Sequence, residues 1–276
     1  MKCTICSSQA KIEFKYKDWD IFRCLDCSHA FSANIKKEIK DIYNEQYFEK
    51  NWFRYPDLNL YKRIESLIRD RFGYDAEIHD LGCGNGNLLE FLHNKGYQNL
   101  SGSDIVSCLK GEIKGKLEFI HSSFEDLDKS QSYDFITSIA NIEHVSDVHE
   151  YSNVLMEMLK PGGIAAVYTI NEKALIYKIS RFLRFFKITF ASTQMYDPHH
   201  INHFSVKSLS SLFIRNNFKI LKTYTSNYPL NSTDILIESP IIRNLILIVV
   251  AFINLIASIS KSEVGQLMII QKSTEA

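Results

Sequence analysis

The sequence predicts an α/β fold of the Rossmann-like kind, with a small cysteine-bearing module ahead of it. Three observations carry that expectation. Strand-like and helix-like runs alternate from residue 76 onward, a glycine-rich turn separates the first such strand from its helix, and four of the six cysteines fall within the first 27 residues.

A chain of 276 residues can bury one large domain and a small appendage. Hydrophobic residues make up 45% and charged residues 23%, an ordinary folded composition far from that of a disordered chain. The 32 basic and 32 acidic side chains cancel, so the molecule lacks the overall positive field that attracts phosphate backbones, and nucleic acid is disfavoured as a partner. Met1 is followed by a polar, Cys-bearing stretch rather than an apolar run, which predicts a cytoplasmic protein with reduced thiols.

The cysteine module comes first. Cys3 and Cys6 form one CxxC pair and Cys24 and Cys27 another, with seventeen residues between the pairs. Two thiolates two residues apart point from one tight knuckle at a single ion, and two knuckles complete the tetrahedral set of a structural zinc at about 2.3 Å per bond. Residues 11–22, KIEFKYKDWDIF, alternate apolar and polar as strands between the knuckles do. So small a module buries too little apolar surface to fold alone, and metal binding supplies what is missing. Cys83 and Cys108 stand apart and read as packing residues.

Residues 76–92, AEIHDLGCGNGNLLEFL, give an apolar strand, a glycine turn and a helix starting near Asn85. Gly82, Gly84 and Gly86 let the backbone turn sharply and approach a ligand, while the helix start aims free N–H groups at it. The spacing is GxGxG; a dinucleotide loop would need its third glycine at Asn87. A second strand from Gln98 ends in Asp104, eighteen residues past Gly86, where a carboxylate can accept hydrogen bonds from ribose hydroxyls.

This stretch resembles motif I of the class I S-adenosylmethionine (SAM) dependent methyltransferases, with Asp80 as the acid two residues before the first glycine. Further segments match at the family's distances: LEFIH (117–121) as third strand, YDFITSIANIEHV (133–145) as a fourth strand running into a polar turn, and LKPGG (159–163) as helix stop and turn before the fifth. The resemblance covers roughly 75–228 and implies SAM as methyl donor on a seven-stranded, mostly parallel sheet with its last strand antiparallel. It implies SAM contacts at Asp80, Gly82, Cys83, Gly84, Gly86, Asp104, Ser123, Phe124 and Asn141. One departure is the short segment after Asp104, where Gly111 and Gly115 cut the usual second helix to about two turns.

The organisation expected is a zinc ribbon over 1–40, a linker and lid helix over 41–74, and a methyltransferase domain over 75–276 with a hydrophobic helical insertion at 237–260. DIYNEQYFEKNW (41–52) and DPHHINHFSVKSLSSLFIRNNFKIL (197–221) resemble zinc-bearing methyltransferases that act on nucleotide-linked sugars and surface-polysaccharide intermediates. Tyr43 and Tyr47 are then lid residues over SAM or aromatic packing between modules. His144, His200 and His203 are candidates for the base that takes a proton from a sugar hydroxyl, each set against a purely structural reading.

Two segments point toward a membrane surface. From Leu175 the apolar positions Ile179, Phe182, Leu183 and Phe186 share a helical face, and Lys173, Arg181, Arg184 and Lys187 gather mainly on the other. The run 240–260 is apolar but interrupted by Arg243 and Asn254, and it connects two strands of one sheet, which predicts an in-plane, re-entrant or subunit-contact helix, not a crossing one. These readings favour a small-molecule or lipid-linked glycan acceptor, peripheral membrane association and a homodimer contact as open alternatives. Two rivals stay open: a zinc-bearing methyltransferase of a ribosomal RNA guanine, and a non-catalytic binding scaffold.

Overall fold

The computed structural model describes residues 1–35, 54–106, 109, 113–197, 199–232 and 239–273. Tyr43, Tyr47, Cys108 and Gly111 lie outside them. The first strands, β1 (Ala10–Lys15), β2 (Asp20–Cys24) and β3 (Ala30–Ala33), pair antiparallel in sequence order. Helix α1 (Leu58–Phe72) starts where the Asp57 carboxylate accepts the amides of Asn59 and Leu60, and it stops at Gly73. It buries Leu60, Ile64 and Ile68 at helical spacing.

The main domain then alternates: β4 (Ile78–Leu81), α2 (Asn87–Asn94), β5 (Leu100–Asp104), β6 (Glu118–His121), β7 (Tyr133–Ile139), a 3-10 turn (Ile142–His144), α3 (Val148–Met158) and β8 (Leu159–Ile170). It continues through α4 (Leu175–Phe185), α5 (Phe190–Met195), β9 (Asn202–His203), α6 (Val206–Arg215), β10 (Phe218–Ser226), α7 (Pro240–Ile259) and β11 (Gly265–Lys272). The large sheet has seven strands in the order β10-β11-β8-β7-β4-β5-β6. Only β11 runs against its neighbours, β8 and β10. The expected Rossmann-like sheet with its antiparallel last strand is therefore present.

Helices cover both faces of that sheet. One face packs α1 and α2 on Ile78, Phe135 and Ala166; the other packs α3 and α6 on Ile136, Ala165 and Val167. A capping box at the start of α6, Ser205 with Ser208, holds that helix's first turn. Between β4 and its two neighbours the strand order reverses, so a crevice opens at the carboxyl ends of β4, β5 and β7, where open α/β sheets bind ligands.

Two features differ from the sequence reading. The small sheet does not close on itself: its fourth strand is β9, pairing Ala30 with His203 and Phe31 with Asn202. LKPGG is not a turn ahead of a strand but belongs to β8, looping out between the pairs Tyr133–Leu159 and Phe135–Ile164. The short helix expected between Asp104 and Leu117 falls largely outside the described residues.

Helix α4 turns Phe182 and Phe186 of its expected apolar face outward. Arg181 reaches inward to Glu172 and the Tyr196 hydroxyl, at 3.1 and 2.9 Å, and the Arg184 guanidinium sits over the Phe14 and Tyr16 rings. Ion pairing and cation–π stacking hold these arginines inside. Phe182, Phe185 and Phe186 are left facing outward.

Candidate active site

The loop joining β4 to α2 forms the floor of the crevice. Gly82, Gly84 and Gly86 all have positive φ, at 76°, 55° and 79°. Gly82 is required twice over, because a Cβ there would lie 2.6 Å from Cγ of Asn141. That closeness lets Asn141 lie against the loop, its amide donating to the Leu81 carbonyl at 3.1 Å and to Ser138 Oγ at 3.3 Å. The helix does not begin at Asn85: Gly86 is its N-cap and Asn87 its first residue. Cys83 is buried with its sulfur against Gly102, so its side chain packs and only its backbone belongs to the loop.

Asp104 stands at the tip of β5, beside the loop. Its carboxylate accepts the Gly84 amide at 2.8 Å and the Val106 amide at 3.0 Å. Each oxygen keeps a further lone pair for a ribose hydroxyl. Asp80 is fully enclosed and accepts Thr137 Oγ1 at 2.6 Å. Burial pushes its carboxyl up to about 7 against that hydrogen bond, with the nearby Asp104 charge adding to the shift. Burial raises Asp104 as well.

The turn after β7 carries the candidate base. His144 Nδ1–H donates to the His199 carbonyl at 3.0 Å, and its ring meets that of His200 edge-on at 4.8 Å. Burial, with the His200 ring adding to it, depresses His144 to about 3, so it is neutral at physiological pH with Nε2 as its proton-accepting nitrogen. Beside them Glu143, buried and accepting Thr169 Oγ1 at 2.7 Å, is raised to about 7 by burial. The ligand atoms of Glu143, His144 and His200 all lie within 4.8 Å of one another. Glu143 escaped the sequence reading because only its burial next to His144 marks it out.

His203 is a correction to the list of candidate bases. It is 4% exposed in β9, its Nε2 bonded to Ser32 Oγ at 3.1 Å, and it holds the small module to the main domain. Ser123 and Phe124 also have local partners: Ser123 donates to Asp126 at 2.9 Å, and the Phe124 ring packs edge-on against Tyr151 at 5.8 Å.

Comparison with known proteins decides the family. Residues 49–223 match a family described as a methyltransferase domain, more than half of the chain. The chain belongs to the SAM-dependent methyltransferases. Two named relatives are the ubiquinone biosynthesis O-methyltransferases of Rickettsia bellii, 32% identical over 37% of this chain and 45% of that protein, and of Rickettsia typhi, 30% identical over 54% and 67%. The chain thus spans less than half the length of the first relative.

Among solved structures, a putative sarcosine dimethylglycine methyltransferase from Galdieria sulphuraria has a TM-score of 0.55 at 17% identity, over 84% of this chain and 92% of that one. The magnesium protoporphyrin IX methyltransferase of Synechocystis PCC 6803, solved with bound SAH, has a TM-score of 0.55 at 15% identity, over 85% and 98%. These two establish the shared fold.

The four cysteines of this methyltransferase fit a zinc ion. Their sulfurs all lie within 4.8 Å of one another, with Cys3–Cys27 at 3.6 Å and Cys6–Cys24 at 3.4 Å. A ZnS4 tetrahedron has edges of about 3.8 Å. The amides of Ile5 and Asp26 each donate to a knuckle sulfur at 3.4 Å, as thiolate ligands require. The Cys27 hydrogen bond pulls the Cys3 thiol down to about 5. The knuckles also dock on the main domain, since Cys3, Ile5, Cys24 and Cys27 share a core with Phe204 and Leu209.

Proposed function

We propose that this methyltransferase is an O-methyltransferase that moves a methyl group from SAM to a hydroxyl of a small acceptor. The observation that carries the reading is the charge of the crevice. Asp80 and Glu143 are buried carboxyls and Asp104 a half-buried one, all with raised pKa values, hydrogen-bonded by neutral donors from Thr137, from Thr169, and from the Gly84 and Val106 amides. A cation entering beside them restores their ionised forms, and SAM is cationic.

When bound, SAM supplies a methyl group made electrophilic by its sulfonium. The chain's own residues would do the rest. Asp104 accepts the ribose hydroxyls, Asn141 and the glycine loop bound the methionine end, and the acceptor hydroxyl lies toward His144. As the new C–O bond forms and the C–S bond breaks, the hydroxyl proton passes to His144 Nε2, and His200 orients that ring. Glu143 is the local carboxyl that stabilises the protonated imidazole. His144 is a weak base at about 3, so alignment carries more of the rate than proton abstraction.

The relatives' names support oxygen as the acceptor atom, and they favour a ubiquinone-precursor hydroxyl over the sugar hydroxyl that the sequence suggested. Zinc, held by the four cysteines, is structural in this reading. The test is transfer of labelled methyl from SAM to a panel holding polyhydroxylated prenyl-benzenes and nucleotide-linked sugars. Labelled ether in the aromatic products is expected. Label only in sugars would restore the glycan acceptor, and no label in any acceptor together with no SAM binding would favour a scaffold.

A further inference from the structure

Helix α7 has twenty residues, long and apolar enough by composition to cross a membrane, yet almost all of it is exposed to some degree. At 1.5 Å per residue it is about 30 Å long. Among the described residues, it is bonded near its C-terminal end: Asn227 Nδ2 donates to the Asn254 carbonyl and to Ser258 Oγ, both at 2.9 Å, and Ala257 is its buried residue. Ile241, Leu245, Ile248, Val249 and Phe252 are all more than half exposed. Helix α4 touches α7 and adds Phe182, Phe185 and Phe186, with Phe185 at 83% exposure. Two touching helices thus both leave large apolar side chains exposed.

The helix does not cross a bilayer. It joins β10 to β11, and Ser226 pairs directly with Gly265 across that hairpin, so the segment leaves and re-enters the sheet at one point. Its two ends are tied to paired strands of one sheet, which a crossing helix would place on opposite sides of the membrane. The surface therefore lies along an interface.

Charge indicates which interface. The sequence has no acidic residue from Lys173 to Tyr196 or from Ser239 to Ser262, while Lys178, Lys187, Arg243 and Lys261 are exposed along these helices. At the foot of α7 a cavity of about 630 Å³ is lined by Lys173, Lys178, Lys207 and Lys261, with hydroxyls of Ser260 and Ser262. Leu175 of α4 and Ile256 of α7 line the same cavity, so its cations adjoin the apolar surface.

From this juxtaposition we propose that α4 and α7 form a monotopic wedge that enters one leaflet of an anionic bilayer, with the lysine-lined cavity taking a phospholipid phosphate. The cations would sit at headgroup level and the phenylalanines and leucines below them. The proposal goes beyond the methyl-transfer reading and deepens it, since a wedge there would bring the enzyme to acceptors dissolved in the membrane.

The test is co-sedimentation of the full chain with vesicles of phosphatidylcholine alone or mixed equally with phosphatidylglycerol. Binding to the mixed vesicles is expected, falling as salt rises, with much weaker binding to phosphatidylcholine alone. Leu245→Glu/Phe252→Glu should weaken binding by more than about tenfold, and Lys178→Gln/Lys261→Gln by about fivefold per lysine. Unchanged SAM affinity in both variants would show the folded crevice and keep this result separate from the fate of the methyl-transfer reading. Equal sedimentation with and without vesicles would overturn the proposal, as would binding indifferent to salt and to lipid charge. A stable solution dimer dissociated by Leu245→Glu/Phe252→Glu, with no vesicle binding, would assign the face to a second copy instead.

Discussion

Replacing Gly82 by alanine isolates the contact that shapes the crevice floor. An L-residue at φ near +76° costs about 1–2 kcal/mol from backbone strain alone. The new Cβ would also lie 2.6 Å from Cγ and Nδ2 of Asn141, so that side chain must swing away and give up its bonds to Leu81 and Ser138. That loss adds about 0.5–1.5 kcal/mol, for a total of about 1.5–3.5 kcal/mol. Gly115→Ala is the control, because Gly115 has φ +82° but nothing within 4 Å of its Cβ position, leaving the strain alone. Urea unfolding of the two variants should differ by about 1 kcal/mol. Adding Asn141→Ala to Gly82→Ala should recover most of that difference as a coupling energy. If Gly82→Ala is no worse than Gly115→Ala, or the double variant shows no coupling, the packing of Asn141 over the loop is not what holds this turn.

Three more outcomes follow from the same geometry. His79 is buried between Ser101 Oγ at 2.8 Å and Ser103 Oγ at 2.9 Å, and burial lowers its pKa to about 4, so its contribution is intact above about pH 6.5 and lost as pH falls toward 4. His79→Gln should therefore flatten the stability-versus-pH slope in that window by about 1.4 kcal/mol per pH unit, read by urea unfolding across pH. Because burial holds Asp80 near 7, binding of cationic SAM should release a fraction of a proton at neutral pH and almost none above about pH 8, measured by calorimetry in buffers of different ionisation enthalpy. Cys24→Ser/Cys27→Ser should lose about one zinc per chain by elemental analysis. The same variant should lower kcat more than SAM affinity, since β3 pairs with β9 and Ser32 Oγ donates to the His200 carbonyl at 2.9 Å.

Much of this architecture was legible because it is written in local chemistry. Asp57 and Ser205 cap helices where a carboxylate and a hydroxyl can reach free amides, and the glycine loop and Asp104 fall where strand and turn signals place them. What escaped depends on partners distant in sequence. Strand β9 has two residues and becomes a strand only by meeting β3, and that meeting makes His203 structural. Helix α4 shows its phenylalanines to the outside because Arg184 is held by Phe14 and Tyr16 of the cysteine module, and Arg181 by Glu172. No helical periodicity contains those pairings. Glu143 likewise becomes a site residue only when the fold buries it beside His144 and His200.

The central claim is that the glycine loop and the β5 carboxylate grip SAM together. Calorimetric titration of SAM into the wild-type chain and into Asp104→Asn tests it most directly, since the amide keeps the side chain's shape while losing the charge that the ribose hydroxyls would meet. Binding in the wild type, weakened by more than about tenfold in the variant, is the predicted result. Equal affinity in the two proteins would contradict the account.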